Sequence, residues 1–360
     1  MGLSSCQPDH AGHRADAHRP ADRRKTPSRL CAGAVAGGLS LLLALLLALP
    51  GHAADLTLAT WHADLSRDGP GLLLRDLQDP GPDLQALVAQ VTEAAPDVLL
   101  LTHVDFDAGG AALAALAALL AEGGAAYPHR LALLPNTGMA TGRDLDGDGR
   151  LGGARDAQGY GRFAGQGGMA LLSRWPLVVA RDLSDLLWRD LPQSRIAADD
   201  PGHDLQRLSS TGHWVVTLDA PEGPLTLLAF AATPPVFDGP EDRNGRRNAD
   251  ELRLWSLWME GGFDGGAGPF VLMGNANLDP DRGEGLRQDM QALLADPRLQ
   301  DPLPDEPTVA WKTAGPMRVS YALPSAGLRV TAARVWPAAE GQLHRLVALS
   351  LAWPPQGPSP

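Results

Sequence analysis

The chain has 360 residues, 30 of them basic and 42 acidic, for a formal net charge of −12. That acidity argues against non-specific binding of nucleic acid, which rests on basic side chains neutralising phosphates. The two cysteines, Cys6 and Cys31, both lie near the N-terminus, so the rest of the chain can form no disulfide, thiolate metal site or cysteine nucleophile.

The first segment is expected not to belong to the fold. Arg23, Arg24, Lys25 and Arg29 precede an apolar run from Leu30 to Leu49, and Gly51-His52-Ala53-Ala54 offers small residues for cleavage. This is the pattern of a secretory signal peptide. Residues 1–54 are therefore expected to be a leader, 55–354 one domain and 355–360 a disordered tail. The protein is expected to be exported, periplasmic or extracellular, with no membrane contact after cleavage. The alternative is a retained anchor, because the run approaches the ~20 residues that span a bilayer. The leader holds six basic and three acidic residues, leaving 24 and 39 and a net charge of −15. Lys312 is then the one remaining lysine, so phosphate contacts would fall to arginines.

Beyond the leader, strand-like and helix-like segments alternate. Leu56 to Trp61 alternates as a strand, and Leu84, Leu87, Val88 and Val91 give Asp83–Ala94 helical spacing. Asp97–Thr102 is a continuous apolar run, as in a strand buried on both faces. A helix is expected over Ala111–Ala121, a glycine-rich loop over Asn136–Gln166, and a strand over Gly168–Ser173. Further strands are expected at Trp214–Leu218, Leu225–Phe230, Phe270–Met273, Val319–Leu323, Arg329–Trp336 and His344–Leu351, with a helix at Asn248–Glu260. Strands that follow one another without intervening helices imply an α/β class with antiparallel character.

Within the long loop, Asp144-Leu145-Asp146-Gly147-Asp148-Gly149 sets carboxylates at alternate positions with a glycine where a calcium loop bends. Arg155 stands at the twelfth position instead of glutamate, so this is not an EF-hand. A calcium loop on Asp144, Asp146 and Asp148 competes with an acidic solvated turn. His213 is expected to be structural.

The richest signal is Gly274-Asn275-Ala276-Asn277-Leu278-Asp279-Pro280, directly after the apolar run 269–273. Alternation at the strand end points Asn275 and Asn277 to one side. The segment resembles the G-D-x-N-x-D-P signature of the endonuclease/exonuclease/phosphatase superfamily, with Asn275 in place of the aspartate. Other motifs fall in the same order. Thr60-Trp61-His62 is similar to the W-N motif of the first strand, with His62 for its asparagine. Ala231-Ala232-Thr233-Pro234-Pro235 resembles H-x-T-P-P with the histidine lost. Ser320-Tyr321-Ala322-Leu323-Pro324-Ser325 resembles D-Y-x-L-P-S without its aspartate, and Gln342-Leu343-His344-Arg345 resembles S-D-H-R with Leu343 for the aspartate.

The resemblance implies a four-layer α/β/β/α sandwich of two mixed sheets with the site where strand ends converge. It also implies a Mg²⁺ or Mn²⁺ site. Asp105 or Asp107 would supply the metal-binding acid, or else cap the following helix, with Asp64 nearby. His62 would be a metal ligand or phosphate contact, or simply a polar strand end. The loop 237–248 would lie near the pocket, so Arg243 or Arg246 would contact an anionic ligand; otherwise it is a surface turn whose Asn248 caps a helix. The aspartate preceding His344 would orient it.

Five departures, at His62, Ala231, Asn275, Ser320 and Leu343, fall together on the catalytic set. Loss of an acid–base group alone costs ~10²–10⁴ in rate, and groups acting as a unit do not compensate when several vanish. The expectation is an impaired, monomeric pseudoenzyme that has lost its Mg²⁺ or Mn²⁺ and binds an anionic small molecule or a protein partner. The alternative is an active metal-dependent phosphoesterase rebuilt from His62, Asp64, Asp105, Asp107, Asn277 and His344.

Overall fold

The computed structural model describes residues 54–266 and 268–355. The expected leader, save Ala54, and residues 356–360 of the expected tail lie outside the described residues. In chain order the strands are β1 (Ala54–Leu65), β2 (Val98–Val104), β3 (His129–Leu131), β4 (Gly168–Ser173), β5 (Leu177–Asp182), β6 (Gly212–Ala220), β7 (Gly223–Ala231), β8 (Phe270–Asn275), β9 (Val309–Trp311), β10 (Gly315–Met317), β11 (Ser320–Pro324), β12 (Val330–Val335) and β13 (Val347–Trp353). The α-helices are α1 (Leu72–Gln78), α2 (Pro82–Ala94), α3 (Ala111–Glu122), α4 (Arg243–Met259) and α5 (Arg287–Leu294). None of the described helices is long and apolar enough to cross a membrane.

Two mixed sheets carry the fold. One has six strands in the order β12-β13-β1-β2-β4-β3, the other five in the order β11-β8-β7-β6-β5. Each contains one parallel pair, β1 with β2 and β7 with β8, among antiparallel neighbours. The expected α/β/β/α sandwich follows from how side chains alternate along these strands. In β1, Leu56 and Leu58 join the apolar core between the sheets, while Ala59, Trp61, Ala63 and Leu65 pack against α1, α2 and α3. In β8, Val271 and Met273 face the inter-sheet core, and Phe270 and Leu272 face α4 and α5. Residues on both faces are therefore apolar, which is why these strands are continuous hydrophobic runs in the sequence. Each fully buried leucine stabilises the fold by roughly 1.5–3 kcal/mol relative to exposure.

Because side chains repeat every two residues along a strand, the inner face continues to the strand ends in a legible way. His62 follows Leu56 and Leu58 in β1; Thr102 follows Val98 and Leu100 in β2. Ala231 follows Leu227 and Ala229 in β7, Asn275 follows Met273 in β8, and Ser320 precedes Ala322 in β11. Register puts Ala231 and Ser320 on either side of Asn275. The apolar core thus ends, on one side of the sandwich, in a patch of polar residues.

Helix α4 departs from expectation. It begins at Arg243, five residues before Asn248, so Asn248 is not a cap. Its middle instead carries the buried polar side chains Arg247, Asn248, Asp250 and Glu251. Asn248 donates to the carbonyls of Thr233 and Ala276, both at 2.7 Å, tying together the loops that follow β7 and β8. Arg247 donates to the carbonyls of Leu208, Gln158, Arg207 and Ser209. The Glu251 carboxylate accepts from the Ser210 and Thr233 amides. Buried polar groups of this kind persist only when bonded, and here they position the rim of the polar patch.

Candidate functional site

The polar patch is centred on His62. Its Nδ1 lies 2.8 Å from Asn275 Nδ2 and 2.9 Å from the Thr102 hydroxyl. Asn275 Nδ2 also donates to Asn277 Oδ1 at 3.1 Å, and the Asn277 amide N–H returns a bond of 3.2 Å to Asn275 Oδ1. Asn277 Nδ2 donates to the Ala232 carbonyl at 2.7 Å. The backbone allows this because Asn277 adopts φ 53°, the left-handed region that asparagine tolerates better than most residues.

Two further imidazoles surround His62. The His103 ring stacks on it with centroids 5.0 Å apart, and the His344 ring tilts against it at 4.4 Å. Trp311 meets His344 edge-on, and Trp61 Nε1 fixes the loop by donating to the His344 carbonyl at 3.0 Å. His344 is buried and its Nδ1 has no partner; the Ser320 hydroxyl, across from Asn275, is likewise buried and unpartnered. Desolvation holds the His62 pKa well below the ordinary histidine value, with the neighbouring imidazoles adding to the effect. Burial likewise lowers His344 to about 4 and lowers His103, the latter against the pull of Asp64 and Asp105. These shifts favour the neutral form of all three rings.

His103 was not expected at the site. It sits just past Thr102, at a backbone φ of 64° that turns the chain at the end of β2. The signal available in the sequence was its place as the first residue after a doubly buried strand. The three expected aspartates lie differently. Asp105 accepts from the Ser66 hydroxyl and from the backbone amides of Arg67 and Gly167, at 2.8, 2.8 and 2.9 Å. Asp107 accepts from the amides of Ala111 and Ala112 at the start of α3, the helix-capping alternative. Asp64 is exposed, with its carboxylate 3.7 Å from His103 Nδ1.

The arginines correct the sequence reading. Arg243 is paired with Asp200 at 2.7 Å and donates to Gln206, and Arg246 donates to the carbonyls of Asp242 and Arg195. Arg243 thus serves the scaffold, and Arg246 bonds to backbone carbonyls alone. Leu343 is 48% exposed while the adjacent His344 is buried. The side chain at position 343 is thus turned to solvent, whereas the Ser320 hydroxyl is buried. His213 is buried, bonded to Ser209 and packed on Trp255, a structural residue.

The aspartate loop forms a separate cluster. Carboxylate oxygens of Asp144, Asp146 and Asp156 all lie within 4.8 Å of one another, the one such acidic or histidine group among the described residues. Asp148 is not part of it; its carboxylate caps the Arg150 amide. Asp156, missed from sequence because it lies eight residues beyond the repeat, is buried and bonded to the amides of Leu145 and Gly153. Those backbone donors hold its pKa below the usual carboxylate range.

A four-layer sandwich whose polar strand ends meet in one patch defines the class of fold. The chain belongs to the Endonuclease/Exonuclease/phosphatase family, whose model matches residues 71–342. Among solved structures, it is similar to an endonuclease/exonuclease/phosphatase from Beutenbergia cavernae, with 22% identity and a TM-score of 0.56 over 83% of this chain and 71% of that one. Another, from Bacteroides vulgatus, is 11% identical with a TM-score of 0.50 over 83% of this chain and 98% of the other. No curated protein matches the sequence. Divalent-metal dependence is general in the family. The donor set here does not fit such an ion. Mg²⁺ and Mn²⁺ favour carboxylate oxygen, whereas the centre of this cleft offers imidazoles, amides and hydroxyls, and Asp105 is engaged by three donors of its own chain.

Proposed function

We propose that this chain is an exported member of the family that has lost phosphoester hydrolysis and retains the cleft to bind an anionic ligand. One observation carries the reading: no carboxylate contacts His62, whose neighbours are Thr102, Asn275, His103 and His344. Hydrolysis needs a base held in the correct tautomer and a group to stabilise developing charge. His344 keeps its place but its Nδ1 has no acceptor to orient it. Neutral N–H and O–H groups in direct contact with His62 favour an anion over a metal. The net charge of −15 outside the leader keeps nucleic acid from binding non-specifically.

The same reading gives the aspartate loop a structural calcium ion, held by Asp144, Asp146 and the preorganised Asp156. Oxygen-only ligands and a flexible glycine-rich turn suit Ca²⁺, and an exported protein would meet it at high concentration.

The test is a thermal-shift titration with inorganic phosphate in chelator. Stabilisation that grows with phosphate concentration is expected, and His62→Ala should remove it. An unchanged melting temperature up to high phosphate would contradict anion binding in the cleft.

A further inference from the structure

The amides at the cleft fix which nitrogen of His62 carries its proton. The orientation of a carboxamide is set by its bonding partners, and here two of those partners are backbone groups of fixed polarity. The Ala232 carbonyl can only accept, so the atom of Asn277 facing it at 2.7 Å is the NH₂ group. Asn277 Oδ1 is thereby turned toward Asn275, and only a donor of Asn275 can meet it at 3.1 Å. Independently, the Asn277 backbone N–H, shared with the Val319 carbonyl, requires the oxygen of Asn275 on its side. Asn275 therefore has one N–H on Asn277 and one left over. That second N–H points at His62 Nδ1 across 2.8 Å. An amide nitrogen has no lone pair to offer, so Nδ1 must be the acceptor and the imidazole proton must sit on Nε2. The Thr102 hydroxyl, whose proton rotates to suit, is compatible with this state as a second donor.

Nε2 of His62 makes no bond to any described residue, and it is not among the buried orphan atoms. It is an open N–H donor in the cleft. We infer that Asn275 is a positioning residue which, through the relay Ala232–Asn277–Asn275, locks His62 as an Nε2–H donor and makes the cleft a metal-independent receptor for a phosphate-type oxyanion. A metal would need the Nε2 lone pair, which exists only with the proton on Nδ1, where it would collide with the Asn275 N–H. Replacement of Asn275 by aspartate would reverse the polarity: a carboxylate accepts from Nδ1–H and frees Nε2 for a metal, the usual second partner of a metal-bound histidine. The inference deepens the anion-binding reading and rests on it for the choice of ligand, but the tautomer itself is independent of that reading.

Long-range ¹H–¹⁵N correlation spectra of the whole protein at pH 7.5 in chelator test it, with His62→Gln identifying the His62 signals. Wild type should show the Nε2–H pattern. Asn275→Leu, which keeps the volume and removes the hydrogen bonds to His62 and Asn277, should leave a mixture of tautomers, and Asn275→Asp should shift the ratio to Nδ1–H. Inorganic phosphate added in chelator should move the His62 Nε2 resonance of wild type. An Nδ1–H pattern in wild type, or an unchanged ratio in Asn275→Leu, would overturn the lock. A His62 response to phosphate that appears only with added Mg²⁺ or Mn²⁺, or no response at all, would overturn metal-independent reception. Hydrolysis of a phosphoester by a protein with the Nε2–H pattern would contradict only the proposed loss of activity.

Discussion

Asn275 and His62, 213 residues apart in the chain, meet at 2.8 Å across the gap between the two sheets. The contact joins the last residue of β8 to the inner face of β1, and both replace residues that the family's motifs carry at these positions. An amide donor faces an imidazole acceptor. The cleft is internally consistent as a neutral site.

The histidines make stability pH-dependent. For His344 the folded pKa is about 4, below the ordinary value near 6.5, so below pH 6.5 the unfolded chain takes up a proton that the folded one refuses. Stability is then lost as pH falls from about 6.5 toward 4. Urea denaturation midpoints for wild type and His344→Gln should converge as pH falls through that window. Parallel curves would mean that His344 titrates normally in the folded protein.

The Asn248 side chain is predicted to hold the cleft rim. Asn248→Ala leaves the buried carbonyls of Thr233 and Ala276 without their donor and should cost about 2–4 kcal/mol. Asn248→Asp should cost more, because it sets acceptor against acceptor. Chemical denaturation measures both, and a cost below the uncertainty of the measurement for Asn248→Ala would show that these carbonyls find other partners.

Calcium is predicted to raise the melting temperature by linkage, since an ion that binds the folded state alone stabilises it. Asp156→Asn and Asp146→Asn should each abolish most of the increment, and Asp148→Asn should spare more of it. Equal melting curves in millimolar calcium and in chelator would leave the loop an acidic turn held by backbone bonds.

Much of this architecture was legible in the sequence, for physical reasons that differ between elements. The runs at 97–102 and 270–273 announce doubly buried strands, and the expected strand at Asn275's approach is β8. Strand β5 was missed because Leu177, Val179 and Ala180 lie on an edge whose alternation is blunted by exposed Arg181 and Asp182, and α1 because it has fewer than three turns. At the site, His62, Asn277 and His344 come together as the ordered motifs implied. Asp107 and the two arginines do not, because a charged side chain reports its type but not its partner: Asp107 found a helix start, Arg243 found Asp200. His103 and Asp156 were hidden by position, one at the end of β2 and the other eight residues past Asp148.

A graded restoration should show how deep the loss runs. His62→Asn, Ala231→His, Asn275→Asp, Ser320→Asp and Leu343→Asp in combination are predicted to recreate metal-dependent hydrolysis, while single changes should do almost nothing, since such groups act as a unit. The exposure of position 343 predicts that omission of Leu343→Asp costs less than omission of Ser320→Asp. The restored carboxylates will repel one another without metal, so the combined variant should melt lower in chelator and recover with Mg²⁺ or Mn²⁺. A folded variant that binds metal and hydrolyses nothing would place the loss beyond these five positions, with His103 the first residue to change next.

The most direct measurement of the central claim is turnover by the purified wild-type protein of chromogenic phosphodiester and phosphomonoester substrates, with Mg²⁺, Mn²⁺ and Ca²⁺ in turn. Rates equal to the no-enzyme control are expected in every case. Metal-dependent turnover that disappears in His344→Ala would contradict it, and would mean that His62, His344 and the nearby carboxylates form a working phosphoesterase site.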